Sequence, residues 1–375
     1  MASTAVAGVE LMKLGMSGTD GLPLATVRGL VPYESLTFGG WDINGDDLAK
    51  AAHLHRVLEP AQIESVATSL EQIVPRPAAA DAAFCRRVVG GNVMSVDPLR
   101  KRVEIIRQDI QDMRREHQLD TVVVVNLAST ESLPDTGASA LADLSSFERG
   151  LDQGDPAITP GMLYAYAAIS EQAPYVNFTP SLAVDVPALT EMAELYGVPV
   201  AGKDGKTGQT LVKTVLAPAF RSRSLRVEGW YSTNILGNRD GQALDDPDSL
   251  NSKLTTKKSV LDSILGYPVD SHIVRIDYYR PRGDEKESWD NVDLQGFLGQ
   301  RMQLKVNFLC RDSILAAPLV LELIRLLAEA QRRGDRGVQE QFGYFFKAPA
   351  TRDGREPVHG LHTQERNLYE WLDAR

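Results

Sequence analysis

Val198 to Val215 reads VPVAGKDGKTGQTLVKTV, and the order of residue types in it decides the fold. Val198, Val200 and Ala201 suit a short buried strand, Gly202, Gly205 and Gly208 free the backbone for a tight turn, and Leu211, Val212 and Val215 return at helical spacing. Strand, glycine-rich turn and helix in succession make an anion site, because amides at a helix start point outward with the positive end of the helix dipole behind them. Lys206 and Thr207 would add a charge and a hydroxyl. Gly205-Lys206-Thr207 also imitates the end of a P-loop, but that pattern needs a glycine where Val200 stands. Taken alone, the stretch is equally readable as a glycine-rich connection that holds nothing.

The chain has 375 residues, a length that suggests about two domains. Its 43% hydrophobic and 24% charged residues are ordinary for a globular protein with a sizeable core. A net charge of −10 argues against a nucleic-acid or anionic-membrane binder, although a local basic cluster would still hold a phosphate. Cys85 and Cys310 are the only cysteines and form no CxxC, which excludes a disulfide framework and thiolate zinc and fits a reducing cytoplasm. Ile314 to Leu327 is interrupted by Pro318, Glu322 and Arg325 and falls short of the roughly 20 apolar residues that span a bilayer. No transmembrane helix and no signal peptide are expected.

Outward from the opening stretch, strands and helices alternate. Ala2 to Leu14 is expected to be helical, an unusual start for an α/β domain. Leu36 to Ile43 reads as a strand ending at Asp42, followed by a helix from about Asp46 to Val57 with Asn44 as its cap. An acid at the end of an early strand commonly holds the ribose of a dinucleotide, and helix capping is the competing role for Asp42. Leu99, Val103, Ile106, Ile110 and Met113 repeat at spacings of four and three, giving an amphipathic helix. Thr121 to Ala128 reads as a strand buried on both faces. A helix capped by Thr159 with Pro160 at its first position leads to a strand over Pro174 to Phe178, and Asp185 is expected to cap a helix ending at Gly197. The fold class is therefore α/β, a Rossmann-like doubly wound parallel sheet.

After Gly208 the pattern changes. A helix leads to strands at Leu225 to Ser232, His272 to Tyr279 and Met302 to Phe308, with a lysine-rich helix from Ser252 to Leu265 among them. The last strand alternates apolar and polar residues, as in a sheet buried on one face. These elements predict an inserted α+β domain over 209–312, with 1–208 and 313–375 forming the dinucleotide-type domain. Ser313 to Arg333 is expected as a long helix, Asn367 to Leu372 as a short one, and Glu131 to Gly137 and Gly237 to Ser249 as loops. Lys253 and Lys257 fall on one helix face, Asp284 and Lys286 in a Gly-Asp-Glu-Lys turn, Asp312 at a helix start, and Lys347 among the aromatics of Tyr344-Phe-Phe-Lys-Ala-Pro349. A lysine face is most simply a solvated face. Lysines in apolar company instead have depressed pKa values, can work as acids or bases, and can stabilise an enolate oxyanion.

The order Gly202-Lys-Asp-Gly-Lys-Thr-Gly-Gln-Thr210, Asn234-Ile-Leu-Gly-Asn-Arg-Asp-Gly241, Ser252-Lys253 with Lys257, Gly283-Asp-Glu-Lys286, Cys310-Arg-Asp-Ser313 and Phe346-Lys-Ala-Pro349 resembles the myo-inositol-1-phosphate synthase family. The likeness extends from Gly40-Trp-Asp-Ile-Asn44 to Val358-His-Gly-Leu361. It implies an NAD-dependent isomerisation of D-glucose 6-phosphate to 1D-myo-inositol 3-phosphate, with oxidation at C5, enolisation at C6, closure onto C1 and return of the hydride. It further implies a homotetramer assembled through the inserted domain, and allows a monovalent or divalent cation. A non-catalytic NAD- or sugar-phosphate-binding relative is the alternative.

Carried over by the resemblance, Lys253, Lys257, Lys286 and Lys347 look like active-site lysines, and Asp204, Asp240, Asp284 and Asp312 like their carboxylate partners. Thr207, Gly208, Gln209 and Thr210 look like the phosphate cradle, and Asp42, Ala128, Thr130, Thr179, Asn238 and Asp240 like the cofactor contacts. The chain departs from the family at Met1-Ala-Ser-Thr4, which stands where the middle of a first strand and glycine loop is expected: either the start is assigned too late or this form lacks the first strand, and weak NAD binding with low activity is expected if the 375 residues are the whole protein. Arg239 also stands where the family often has Asn.

Overall fold

The computed structural model describes residues 1–86, 88–238, 241 and 260–374. α1 (Ala2–Lys13), α2 (Leu48–His55) and α3 (Pro60–Glu71) form one helical layer that closes over Val6, Leu11, Ala52, Ile63 and Leu70. The strand expected over Leu36 to Ile43 is reduced to β1 (Trp41–Asp42), paired in parallel with β2 (Arg76–Pro77). Leu36 and Phe38 pack on the helices instead of alternating along a ladder. Asn44 is not the helix cap: it closes a turn by accepting from the Asp46 amide, while Asp47 accepts from Lys50 N at 2.9 Å and caps α2.

α4 (Leu99–Glu116) buries Val103, Ile106 and Ile110, as their spacing predicts. β3 (Val124–Asn126), α5 (Leu144–Gln153), α6 (Pro160–Ser170), β4 (Tyr175–Asn177), α7 (Pro187–Tyr196), β5 (Pro199–Gly202) and α8 (Gly208–Ser222) follow. β3 is shorter than the eight-residue run suggests because it lies at a sheet edge beside a three-residue partner. Asp185 does not cap α7. It pairs with Lys203 at 2.5 Å, and Val186 occupies the cap position.

The chain continues through β6 (Arg226–Leu236), a helical segment at 260–265, β7 (Ser271–Tyr278), β8 (Glu285–Gln295), β9 (Arg301–Arg311), α9 (Asp312–Arg333), β10 (Gly337–Val338) and α10 (Leu361–Asp373). One sheet, β10-β5-β4-β3, is wholly parallel. Val124, Tyr175 and Val200 meet α4, α6 and α7 on one face, and Val176 and Ala201 meet α9 and α10 on the other. This is the doubly wound arrangement. The second sheet, β7-β6-β8-β9, is mixed, with only β6 and β7 parallel. Its inner face closes on α8 and the 260–265 segment around Trp230, Leu261 and Val292. The expected turn holds at Gly283 and Asp284, but β8 begins at Glu285, so Lys286 lies in a strand, opposite Cys310 of β9. Among the described residues no helix is long and apolar enough to cross a membrane.

Candidate active site at the meeting of two sheets

Asn126, Asn177 and Gly202 stand in one register across β3, β4 and β5, at the strands' carboxyl ends. The turns that leave this rung carry the polar residues. Asn126 accepts from the Ala128 amide at 3.0 Å, and Asn177 accepts from the Thr179 hydroxyl at 3.1 Å. Thr130 is fully buried, whereas Asp42 is exposed at the end of β1 with Oδ1 accepting from Asn44 N. An exposed carboxylate and hydroxyl-bearing turns above parallel strand ends fit the ribose and pyrophosphate of a dinucleotide. Asn238 accepts from Gly241 N at 3.0 Å.

The turn after β5 is pinned by the chain around it. Asp204 N donates to Thr179 O, Gly205 N to Phe178 O, and Lys206 N to Phe345 O, while Lys347 N donates to Asp204 O. Gly205 is obligatory, because a Cβ there would lie 2.1 Å from Phe178 Cζ. Asp204 takes a left-handed backbone with φ 61°, an uncommon conformation that the surrounding bonds hold in place. Its side chain accepts from Lys347 Nζ at 2.7 Å, and both residues are buried.

Beyond this turn α8 begins without a side-chain cap. Thr207 occupies the cap position, yet its hydroxyl donates to Asp312 Oδ1 at 3.1 Å. The first-turn amides of a helix have no partner within it, so those of α8 are available to an anion. The Lys286 ammonium is 3.4 Å from Asp312 Oδ1 and would lie 3.9 Å from a Cβ on Gly208. Asp284 sits alongside, accepting from Ser313 N and Oγ in the first turn of α9 at 3.1 and 2.8 Å. The start of α1 comes to the same place. Burial lowers the Met1 amine below its ordinary value, against the upward pull of Asp284, Asp312 and Asp42.

Asp204, Thr207, Gly208, Lys286, Lys347, Asp284 and Asp312 are thus gathered around one turn. Gln209 and Thr210 are buried in the first turn of α8, with the Gln209 side chain directed at the second sheet. Lys253, Lys257, Asp240 and Arg239 lie outside the described residues. Lys206 does not face the helix start: its ammonium bonds Gln364 and lies 5.7 Å from the Tyr344 ring centre, and burial depresses its pKa to about 7.

Glu131 escaped the sequence reading, which placed it in a loop. It follows Thr130, accepts from Gly161 N at 3.1 Å, and its amide donates to Ser181 Oγ at 2.9 Å. Thr159 occupies the expected cap position of α6 with Pro160 next, but its hydroxyl donates to Leu182 O at 3.3 Å and Glu131 serves the helix start instead. Burial pushes the Glu131 carboxyl up to about 7. Only its position after Thr130 marks it in the sequence. No group of three His, Cys, Asp or Glu among the described residues is arranged to hold a metal ion.

A doubly wound sheet whose strand ends suit a dinucleotide, facing a helix start flanked by lysine–carboxylate pairs, defines a cofactor-assisted enzyme acting on a small anionic substrate. The sequence profile described as myo-inositol-1-phosphate synthase matches residues 4–373, and the chain belongs to that family. Inositol-3-phosphate synthase 1 of Bacteroides thetaiotaomicron is 42% identical over 371 residues, spanning 97% of this chain and 86% of that one. The inositol-3-phosphate synthase of Saccharomyces cerevisiae is 30% identical, spanning 96% of this chain and 75% of the other. The crystal structure of the Caenorhabditis elegans inositol-3-phosphate synthase matches with a TM-score of 0.93 at 26% identity, covering 99% of this chain and 82% of that one.

Proposed function

We propose that this chain is an NAD-dependent isomerase that converts D-glucose 6-phosphate to 1D-myo-inositol 3-phosphate. The observation that carries the reading is the convergence of the uncapped α8 start with the Lys286–Asp312 and Lys347–Asp204 pairs. In this reading the amides of Gly208, Gln209 and Thr210, with the Thr207 hydroxyl, bind the sugar phosphate. Asp42, Ala128, Thr130, Thr179, Asn238 and Asp240 would hold the dinucleotide, which would supply the acceptor and donor for the hydride at C5.

At the 5-keto stage the C6 proton is acidified, and a neighbouring ammonium stabilises the enolate oxygen as it forms. Lys286 and Lys347 are held for this by Asp312 and Asp204, which keep each Nζ in place and balance its charge. Lys253 and Lys257, with Asp240, complete the proposed set, and Asp284 fixes the start of α9 that carries Asp312. The active-site turn joins a proposed dinucleotide-type domain, 1–208 with 313–375, to an inserted catalytic domain, 209–312.

The outer face of the second sheet exposes Tyr231, Ile273, Trp289 and Leu309 at 40, 46, 48 and 55%. We infer that this apolar, uncovered face assembles the homotetramer, in a cytoplasmic enzyme whose Cys85 and Cys310 form no disulfide. Incubation with glucose 6-phosphate and a trace of NAD tests the function. Inositol phosphate should form with no net reduction of the cofactor, and parallel samples with potassium or a chelator reveal any cation requirement. Cofactor binding without any product would instead identify a non-catalytic relative.

A further inference from the structure

β8 carries Lys286, Ser288 and Asp290 on the face it turns toward α8, where a sheet normally presents apolar side chains. Val292 and Leu294 continue the same face and do enter the apolar core. Lys286 belongs to the proposed site, but Asp290 lies deeper and is 3% exposed. Its Oδ1 accepts from Trp230 Nε1 at 2.6 Å and from Ser232 Oγ at 2.7 Å, both on the neighbouring strand β6. Its Oδ2 accepts from Gln209 Nε2 at 3.1 Å.

Gln209 is held from its other end as well, because its Oε1 accepts from Asn234 Nδ2 at 2.7 Å. Both polar ends of this side chain are consequently bound to the second sheet, and the part of Gln209 left for a ligand is its backbone amide. Lys213, one turn further along α8, is also buried, with Nζ 2.9 Å from His272 Nε2 and 5.6 Å from the Trp230 ring centre. Burial depresses its pKa to about 8 while the Asp290 charge pulls it upward, so each of these buried charges answers the other. A carboxylate in a core is costly unless its oxygens are bonded, and three donors from two elements meet that condition here.

We propose that Asp290 is a positioning residue for the substrate phosphate: through Gln209 it locks the first turn of α8 to the second sheet, so that the amides of Gly208, Gln209 and Thr210 converge on one phosphoryl group. This rests on reading the α8 start as the phosphate site. A purely structural Asp290, serving only Trp230 and Ser232, would lower thermal stability and leave phosphate affinity unchanged.

Asp290→Asn separates the two roles. It preserves size and can keep an oxygen toward Trp230 and Ser232, but then sets an NH2 against the Gln209 NH2. The expected result is a rise of about tenfold in KM for glucose 6-phosphate and in Kd for inorganic phosphate, the latter measured by calorimetry on the NAD-loaded enzyme. kcat and NAD affinity should change less than about threefold, the split expected when uniform binding is lost. Gln209→Ala should raise both constants equally, and the double variant should be no worse than either single one. Where Asp290→Asn fails to fold, Gln209→Ala carries the test, since it leaves Asp290 the Trp230 and Ser232 donors.

Unchanged phosphate affinity in folded Asp290→Asn, or strictly additive losses in the double variant, overturns the inference. Thr207→Val, which removes the one side-chain hydroxyl assigned to the phosphate, shows which reading has failed. If it weakens phosphate binding while Asp290→Asn does not, only the positioning role falls; if neither does, the phosphate site falls with it.

Discussion

The parallel sheet β10-β5-β4-β3 is covered on both faces by apolar side chains, whereas the mixed sheet β7-β6-β8-β9 buries one face rich in polar groups and leaves the other open. The first sheet offers little besides strand ends, and its contribution is a register: Asn126, Asn177 and Gly202 fix where three turns begin. The second sheet contributes side chains, with Lys286 and Asp290 on inward positions of β8 on either side of Ser288. Backbone placement from one sheet and buried charge from the other meet at the α8 start. The proposed chemistry therefore depends on two elements that fold by different rules.

The largest expected effect falls on the lysine pairs that span this junction. Lys286→Ala removes an ammonium offered by the second sheet, and Lys347→Ala one that bonds the turn after the first. Each should lower kcat by at least 10²–10³, the magnitude typical of losing one preorganised donor, in protein shown to be folded by circular dichroism. Full turnover in either variant would remove that sheet from the chemistry. Next comes Gly205→Ala, whose Cβ would collide with Phe178. Overpacking should cost about 1–3 kcal/mol in chemical denaturation, and an unchanged midpoint would mean the turn is not fixed by the first sheet.

Two buried groups beside the first sheet should give stability a pH dependence of opposite sign. Lys206 loses its proton near 7 when folded and near its ordinary 10.5 when unfolded. Between those values the unfolded chain binds more protons, so stability should rise with pH, and Lys206→Met should abolish the rise. Glu131 keeps its proton to about 7 when folded but only to 4.5 when unfolded, so its contribution should fall as pH increases across that window, a fall absent from Glu131→Gln. Urea denaturation at successive pH values measures both. The smallest effect on the isolated fold is expected from Trp289→Lys on the open face, within about 0.5 kcal/mol. Light scattering should nevertheless show a smaller assembly, and an undiminished one would place the interface elsewhere.

The contrast between the sheets also explains what the sequence discloses. Although Leu211 and Val215 are exposed and α8 buries Gln209, Lys213 and Thr214 instead, the strand and turn that open Val198 to Val215 are legible because apolar and glycine residues there serve local geometry. α4 and α9 are legible for the same reason. β8 is not, because its inward positions hold Lys286, Ser288 and Asp290, so burial has no apolar signature and the segment reads as a polar turn. The direction of the Lys206 side chain was equally hidden: a lysine in a glycine turn suggests a ligand, and only the packing of Tyr344 and α10 turns it away. Asp185 and Asn44 stand near helix starts as caps would, but Lys203 and the Asp46 amide claim them. Lys286 and Lys347 with their carboxylates are proposed through the order of several motifs in the chain, since no single spacing brings these pairs together.

The most direct test uses glucose 6-phosphate carrying deuterium at C5, turned over with unlabelled NAD. If Lys286 of the second sheet and the strand ends of the first serve one closed cycle, the inositol phosphate should retain the label on its ring while reduced cofactor does not accumulate. Label lost to solvent, or accumulated in reduced NAD without inositol phosphate, would contradict that conclusion.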